Sequence, residues 1–359
     1  MRAVARDFGI VCGTLPPGAN NSITDVPGVS VGHHTLRSEA INTGDTASVP
    51  HAGNIYRRKL LAACEVINGF GKSSGLMQVD ELGTLETPIL LTNTFGVGPC
   101  STALIRRAIH DNPDIGRETA TVNPVVCECN DGRLNDIQAL AVTEEHARLA
   151  LLDATGADFA QGSVGAGTGM SCFGFKGGIG TSSRQLALDG RAFHLGVLVL
   201  SNFGRAGDLI LPDGRRPSPL GQAVTAPPEK GSVIVVLTTD VPLEHRQLKR
   251  VVRRCGAGLA WLGAFWGHGS GDIAIGFSTG VQFDHDERND LIPIAVVNEL
   301  RIDDLFRAAA EATQEAVLNS LCSAEPVQGR AGHHSPSLAD WLNRHAEDGS
   351  PANSRSIRN

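Results

Sequence analysis

The sequence of 359 residues has few aromatic side chains, no long apolar run and no CxxC cysteine pair. Aromatic residues make up 4% of the chain, and no apolar run approaches the roughly 18 residues that cross a membrane. The N-terminal residues lack the apolar core of a signal peptide. The eight cysteines are scattered, which argues against a zinc site and a disulfide framework. These absences predict a cytoplasmic protein with reduced thiols, no membrane partner and no metal.

Positive charge is also scarce, whereas glycine is abundant. The net charge is −7 at pH 7 and no basic stripe appears, so nucleic acid is not expected as a partner. The 42 glycines exceed the average usage of roughly 7%. The glycine-rich run 162–170 is not a dinucleotide fingerprint, because no apolar strand leads into it and Met170 occupies the third glycine position. We therefore expect a loop-rich α/β enzyme without an organic cofactor.

In one stretch a polar segment is followed at once by the pattern of a buried strand. The polar segment contains Pro227 and Pro228 and ends at Gly231, and the apolar run 233–237 that follows is typical of a buried strand. Ser232 therefore stands at the first position of that strand. If the Gly231–Ser232 bond were cut, Ser232 would carry a hydroxyl and a free α-amine, which is a nucleophile with its own general base. The alternative is an ordinary Gly-Ser turn before a strand.

Two polar residues stand at the ends of other apolar strands. Glu128 lies in the apolar run 125–129, and a buried glutamate must be paired. It is therefore either half of a structural ion pair or a site for a substrate cation. Asn202 follows the apolar run 195–200. Its amide is either an oxyanion donor or simply part of a turn.

Motifs spread over nearly the whole chain carry a resemblance to a known family. They are the run 231–243 (GSVIVVLTTDVPL), the triplet 270–272 (SGD), and shorter runs that include 21–26, 66–69, 134–136 and 167–170. In order and content these runs resemble the DmpA/BapA family of self-processing aminopeptidases, which comprises L-aminopeptidase/D-esterases and β-peptidyl aminopeptidases. The resemblance implies an α/β (α+β) fold, a single large domain built as a four-layer αββα sandwich.

The resemblance also implies the catalytic residues. The precursor would cut itself between Gly231 and Ser232, giving an α chain of residues 1–231 and a β chain of residues 232–359 that stay together and assemble into oligomers of αβ units. Ser232 matches the nucleophile of the family. Ser270 and Asp272 match the pair that completes the proton relay, and Asn202 matches the oxyanion-hole asparagine.

Substrate recognition follows the family less closely. Glu128 matches the carboxylate that holds the free amino group of the substrate. Asn130 stands where one branch of the family has an active-site tyrosine, and the β-peptidase branch lacks that tyrosine too. Trp261 and Leu262 stand where the family has an Arg-Asn pair before the Ser270 loop. The shape of the pocket, and hence the preferred side chain, does not follow from the resemblance.

We predict a self-cleaving serine aminopeptidase or amidase that acts on small peptides, amino-acid amides or esters without a metal or organic cofactor. Two other functions stay open at this point. One is an unprocessed binding or scaffold protein of the same fold. The other is an acyltransferase of the ornithine-acetylating kind, which would have threonine at the cut. From about Arg344 the tail is polar, and we expect it to be disordered.

Overall fold

The computed structural model describes residues 3–219 and 231–346. The strands in chain order are β1 (Ser30–Arg37), β2 (Asn42–Val49), β3 (Arg58–Gly69), β4 (Thr84–Leu85), β5 (Ile89–Asn93), β6 (Val125–Cys129), β7 (Ser171–Cys172), β8 (Phe175–Lys176), β9 (Gly178–Leu188), β10 (Arg191–Asn202), β11 (Ser232–Thr239), β12 (Gly271–Asp284), β13 (Val327–Gln328) and β14 (His334–Ser335). The α-helices are α1 (Leu76–Leu82), α2 (Val97–Asp111), α3 (Glu144–Leu152), α4 (His245–Arg253), α5 (Cys255–Trp261), α6 (Asp303–Cys322) and α7 (Leu338–Ala346).

The larger sheet has six strands in the order β4-β3-β12-β11-β10-β9. Strand β11 lies inside it, parallel to β12 and antiparallel to β10. All eight residues of β11 are buried. A strand that is covered on both faces reads as a continuous apolar run, which is why the run 233–237 predicted it correctly.

A second sheet of four strands, in the order β1-β2-β5-β6, packs against one face of the first. Alternate residues of β11 point to opposite faces. Ile234 and Val236 face the second sheet, where they join a buried cluster with Ile89 of β5 and Cys127 of β6. The two sheets are thus held together by a dry aliphatic layer.

Helices cover both outer faces of this pair of sheets. Val233 and Val235 of β11 belong to a second cluster with residues of α4, α5 and α6. On the other side, Leu90 and Val126 pack with residues of α2 and α3. The order of layers is therefore helix, sheet, sheet, helix, and the predicted αββα sandwich is confirmed.

Helix α6 also contributes two carboxylates to a network of buried charges. Arg184 of β9 is fully buried and pairs with Glu311 (Nε–Oε2 3.2 Å) and Glu315 (Nη2–Oε2 2.8 Å) of α6. The same Glu315 pairs with Arg6 near the N-terminus. This network joins the N-terminal segment, β9 and α6. Buried charges are tolerated because each carboxylate has a guanidinium partner.

The last described helix, α7, reaches the position from which we expected the tail to begin. We expected that tail from about Arg344, and Arg344 lies in α7, where its Nε donates to the carbonyl of Asp340. Two residues of the same helix, Trp341 and His345, stack with their ring centroids 3.9 Å apart. These local contacts stabilise the last turns of the helix. Residues 347–359, and the proline-bearing approach 220–230, lie outside the described residues.

Candidate active site

Ser232 begins strand β11 and lies between the ends of two neighbouring strands. In register it pairs with Asn202, the last residue of β10, and with Gly271, the first residue of β12. Its side chain is buried (4% exposed), and its hydroxyl has no hydrogen-bond partner among the described residues. The thiol of Cys129 is its neighbour: burial raises the pKa of that thiol well above its ordinary value, and the Ser232 hydroxyl partly offsets this. A buried hydroxyl without a partner is unusual and points to a functional role.

The peptide bond before Ser232 is held by the adjacent strand. The backbone N–H of Gly271 donates to the carbonyl oxygen of Gly231 at 3.1 Å. A Cβ atom at Gly231 would come within 2.5 Å of the Asn202 carbonyl oxygen and 2.7 Å of the Phe203 Cα. Only glycine fits this position without moving the backbone, which explains the residue type before the serine.

Ser270 and Asp272 flank Gly271 and form a buried pair. The Ser270 hydroxyl donates to Asp272 Oδ1 at 2.8 Å, and both residues are fully buried. The pair lies next to Ser232, because Gly271 is the strand partner of Ser232 and adjacent strands are about 4.8 Å apart. The structure thus brings together the three residues that the sequence assigned to the relay.

The loop before Ser270 is supported by a residue that we did not assign to the site. Asn68 Nδ2 donates to the carbonyls of both Gly267 and Ser270, and Asn68 pairs with Asp272 across strands β3 and β12. At the position of the expected Arg-Asn pair, Trp261 ends α5 and is half exposed, while Leu262 is buried. Support of the loop therefore comes from β3. The sequence feature that could have indicated Asn68 is an asparagine at the end of an apolar strand, which is the pattern that indicated Asn202.

Asn202 and Asn130 are joined through a backbone group. Asn202 Nδ2 donates to the carbonyl of Asn130 at 2.9 Å, and Asn202 Oδ1 accepts from the N–H of Ser171 at 3.0 Å. These two bonds fix the orientation of the Asn202 amide beside Ser232. The side chain of Asn130 is exposed and closes its own turn by accepting from Gly132 N at 2.9 Å. Asn130 thus contributes a backbone oxygen that positions Asn202, as well as part of the cavity wall.

Glu128 is buried (3% exposed) and is held by uncharged donors. Its Oε1 accepts from the backbone N–H of Lys72 at 2.8 Å, and its Oε2 accepts from the Thr94 hydroxyl at 2.5 Å. It forms no ion pair with any described residue, and the Lys72 ammonium instead lies over the Phe70 ring, 4.3 Å from its centroid. The geometry therefore disfavours the structural ion pair and leaves a carboxylate available for a cation.

A cavity of about 850 Å³ connects these groups. Glu128, Asn130, Gly231 and Ser232 line it, and Phe70, Phe265 and His268 add aromatic walls. Asn202 lines an adjoining cavity, while Ser270 and Asp272 lie behind the wall. Within residues 3–219 and 231–346, no group of three or more His, Cys, Asp or Glu side chains is arranged to hold a metal ion. Over the same residues, no helix is both long enough and apolar enough to span a membrane.

Comparison with known proteins agrees with this geometry. The model of peptidase family S58 matches residues 21–335. The β-peptidyl aminopeptidase BapA of Sphingosinicella microcystinivorans is 36% identical over 353 residues, which cover 92% of this chain and 88% of that protein. The PH0078 protein of Pyrococcus horikoshii OT3 has a TM-score of 0.89 and 43% identity, covering 98% of this chain and 100% of that one. The L-aminopeptidase D-Ala-esterase/amidase of Ochrobactrum anthropi, a prototype serine aminopeptidase with a variant of the Ntn-hydrolase fold, has a TM-score of 0.85 and 33% identity, with coverage of 96% and 99%. The chain therefore belongs to peptidase family S58, and it is an aminopeptidase.

Proposed function

We propose that the chain cuts itself between Gly231 and Ser232 and then uses Ser232 as the nucleophile of a serine aminopeptidase. The observation that carries this proposal is the geometry of the Gly231–Ser232 bond. The hydroxyl that would attack is buried and has no hydrogen-bond partner in the part of the chain that the structure describes, and the oxygen that would gain charge already accepts a hydrogen bond from Gly271. Donors about 2.7–3.1 Å from a developing oxyanion are the usual device for stabilising it.

Self-cleavage would proceed through an ester. The Ser232 oxygen attacks the Gly231 carbonyl carbon, and negative charge develops on the Gly231 oxygen, where the Gly271 N–H donates. The C–N bond then breaks, and the nitrogen takes up the proton that the hydroxyl has lost and leaves as the free α-amine of Ser232. Water hydrolyses the resulting ester, which releases a Gly231 carboxylate and restores the Ser232 hydroxyl.

The same serine would then act on substrates. An α-amine has an ordinary pKa of about 7.7–8.0, so a large fraction is neutral near pH 8 and can accept the proton of the hydroxyl. Ser270 and Asp272 would orient this amine, and the fixed amide of Asn202 would donate to the oxyanion of the substrate. Positioned general-base help contributes roughly 10²–10⁴-fold, and one oxyanion donor roughly 10²–10³-fold.

Glu128 would select substrates that carry a free N-terminal amine. A cation that enters a buried site needs an opposite charge, and Glu128 is the carboxylate that faces the cavity. We therefore propose small peptides, amino-acid amides and esters as substrates. The name of the relative BapA supports including N-terminal β-amino acids. A panel of p-nitroanilides of L-, D- and β-amino acids would rank these classes.

We further propose that αβ units associate into an oligomer and that the protein is cytoplasmic. Leu291 and Leu300 are 86% and 88% exposed on the segment between β12 and α6, and such apolar exposure is typical of association surfaces. Eight buried cysteines without a CxxC motif suit a reducing compartment. Light scattering coupled to size exclusion tests the first point, and cell fractionation tests the second.

A denaturing gel tests self-cleavage directly. The purified wild type should give bands of about 24 and about 13 kDa instead of one of 37.7 kDa, in proportion to the chains 1–231 and 232–359. Ser232→Ala should give the single large band and no activity, since alanine has no attacking oxygen. Ser232→Cys should still cut, because a thiolate can replace the hydroxyl. A single band for the wild type would instead favour the unprocessed scaffold protein.

A further inference from the structure

A second cavity, also of about 850 Å³, adjoins the one that contains Glu128 and Ser232. Four residues line both cavities: Asn130, Arg133, Arg205 and Gly231. Glu128 lines only the first of the two. The two arginines therefore stand where the first cavity opens into the second, and they share the first cavity with Glu128.

Arg205 is half-buried, yet its guanidinium has no partner among residues 3–219 and 231–346. Its Nε is shielded from solvent and makes no hydrogen bond, and no ion pair of Arg205 occurs among the described residues. By contrast, the partly buried Arg6 and Arg57 and the fully buried Arg184 each pair with a carboxylate. A buried charged donor left without a partner is costly. Because this guanidinium lies beside a cavity, we expect its partner to be an anionic group of a ligand.

The distance in sequence of each arginine from Asn202 or Asn130 limits how far it can lie from the reacting bond. Arg205 is three residues beyond Asn202, the strand partner of Ser232, and Arg133 is three residues beyond Asn130. Asn202 and Asn130 are themselves hydrogen-bonded at 2.9 Å. Each arginine is thus within about 11 Å, along its own backbone, of that bonded pair. A side chain as long as that of arginine reaches back over much of this distance.

The charges around the second cavity favour an anion. Its lining contains Arg330, His333 and His334 in addition to the two shared arginines, and no carboxylate from the described residues. The first cavity has Glu128 as its carboxylate. A ligand that spans the junction therefore meets negative charge at one end and positive charge at the other.

We propose that Arg205, assisted by Arg133, binds the free C-terminal carboxylate of the residue that follows the cleaved bond, so that the enzyme favours dipeptides. This rests on the proposed aminopeptidase function. In a dipeptide the amine and the carboxylate lie on adjacent residues, whose Cα atoms are about 3.8 Å apart. The amine would pair with Glu128 while the planar guanidinium of Arg205 takes the carboxylate in a bidentate manner.

The test compares substrates with and without a carboxylate on the residue that follows the cleaved bond. The set is Ala-Gly, its C-terminal amide, Ala-Gly-Gly and alanine p-nitroanilide, all with free amines. Wild-type enzyme should prefer Ala-Gly over the amide by about 10- to 100-fold in kcat/KM, the usual range for a hydrogen bond to a charged group. Ala-Gly-Gly should resemble the amide, because its carboxylate is displaced by one residue.

Variants assign the effect to Arg205. Arg205→Gln should lower kcat/KM for Ala-Gly to about that of its amide and so abolish the preference, and an unchanged urea unfolding curve would show that the variant folds. Arg205→Lys should keep part of the preference, and Arg133→Gln should reduce it. The control Arg215→Gln removes a partly exposed arginine that pairs with Asp213 and lines neither cavity, and it should behave as wild type.

Two results would overturn the inference. The first is an unchanged preference in Arg205→Gln. The second is an equal loss on all four substrates, which would assign Arg205 to the carboxylate that self-cleavage leaves on Gly231. A wild-type enzyme that hydrolyses none of the four substrates would instead defeat the aminopeptidase proposal itself, and this one with it.

Discussion

Replacing Glu128 by glutamine separates substrate recognition from self-cleavage. The change removes one negative charge and keeps the shape of the side chain. The two observed donors can be retained: the remaining carbonyl oxygen can accept from the Lys72 N–H, and the new amide can donate to the Thr94 hydroxyl, which is able to rotate. We therefore expect Glu128→Gln to fold and to keep the shape of the cavity.

The expected loss follows from the burial of the site. Glu128 is 3% exposed, so solvent screens its interaction with a bound ammonium only weakly. Removing one partner of a buried, hydrogen-bonded charge pair costs about 2–5 kcal/mol. At 1.4 kcal/mol per decade this is roughly 30-fold to several-thousand-fold in kcat/KM. Self-cleavage should be spared, because Gly231 presents an amide to Ser232 and no cation.

Self-cleavage and turnover can both be measured on one preparation of the enzyme. The gel bands of about 24 and about 13 kDa report self-cleavage, and alanine p-nitroanilide reports turnover. Glu65→Gln is the matched control, since Glu65 pairs with Arg253 outside the cavity. Full turnover of free-amine substrates by a normally processed Glu128→Gln enzyme would refute the reasoning. The preference for free amines would then depend on the shape of the pocket.

Three further predictions concern the relay and the buried charges. Ser270→Ala and Asp272→Asn should each lower turnover per processed enzyme by more than tenfold, and wild-type rates in both would remove the pair from the mechanism. Arg184→Met leaves two buried carboxylates with too few partners, so the free energy of unfolding in urea should fall by about 3–5 kcal/mol. An unchanged free energy of unfolding would contradict this. Burial raises the pKa of Asp45 to about 7 from 3.8, so this group favours the fold below pH 4 and loses that contribution as the pH rises to 7. Between pH 5 and 8 the free energy of unfolding of the wild type should fall by about 3 kcal/mol more than that of Asp45→Asn. Parallel plots of unfolding free energy against pH for the two proteins would contradict this.

The sequence predicted the parts of the site that depend on local pattern. The run 233–237 indicated a buried strand, and this placed Ser232 at its first residue. Polar residues at the ends of apolar strands, Glu128 and Asn202, do lie close to Ser232. Such residues are informative because a buried strand exposes polar groups mainly where it ends. The family resemblance supplied the roles that the pattern alone left open.

Contacts between distant segments were beyond the sequence. Asn68 supports the Ser270 loop from about 200 residues away, and its role depends on the pairing of β3 with β12. The hydrophobic pattern of a strand decides which of its faces is buried, but it does not tell which distant strand becomes its neighbour. That Arg205 has no carboxylate partner among the described residues is likewise visible only when the neighbouring carboxylates have been located. The helical end of α7 depends on contacts within its own last turns, which polar composition does not reveal.

The position of Ser232 also explains why the proposed cut should wait for folding. Strand β10 precedes the Gly231–Ser232 bond in the chain, whereas β11 and β12 follow it, and all three lie side by side in one sheet. The Gly271 N–H meets the Gly231 oxygen only after β11 and β12 have paired. Until then the bond is an ordinary peptide bond, and Ser232 has no free amine. After the cut, the sheet and the aliphatic layer beneath it would hold the two chains together. Folding itself would thus control when the nucleophile appears.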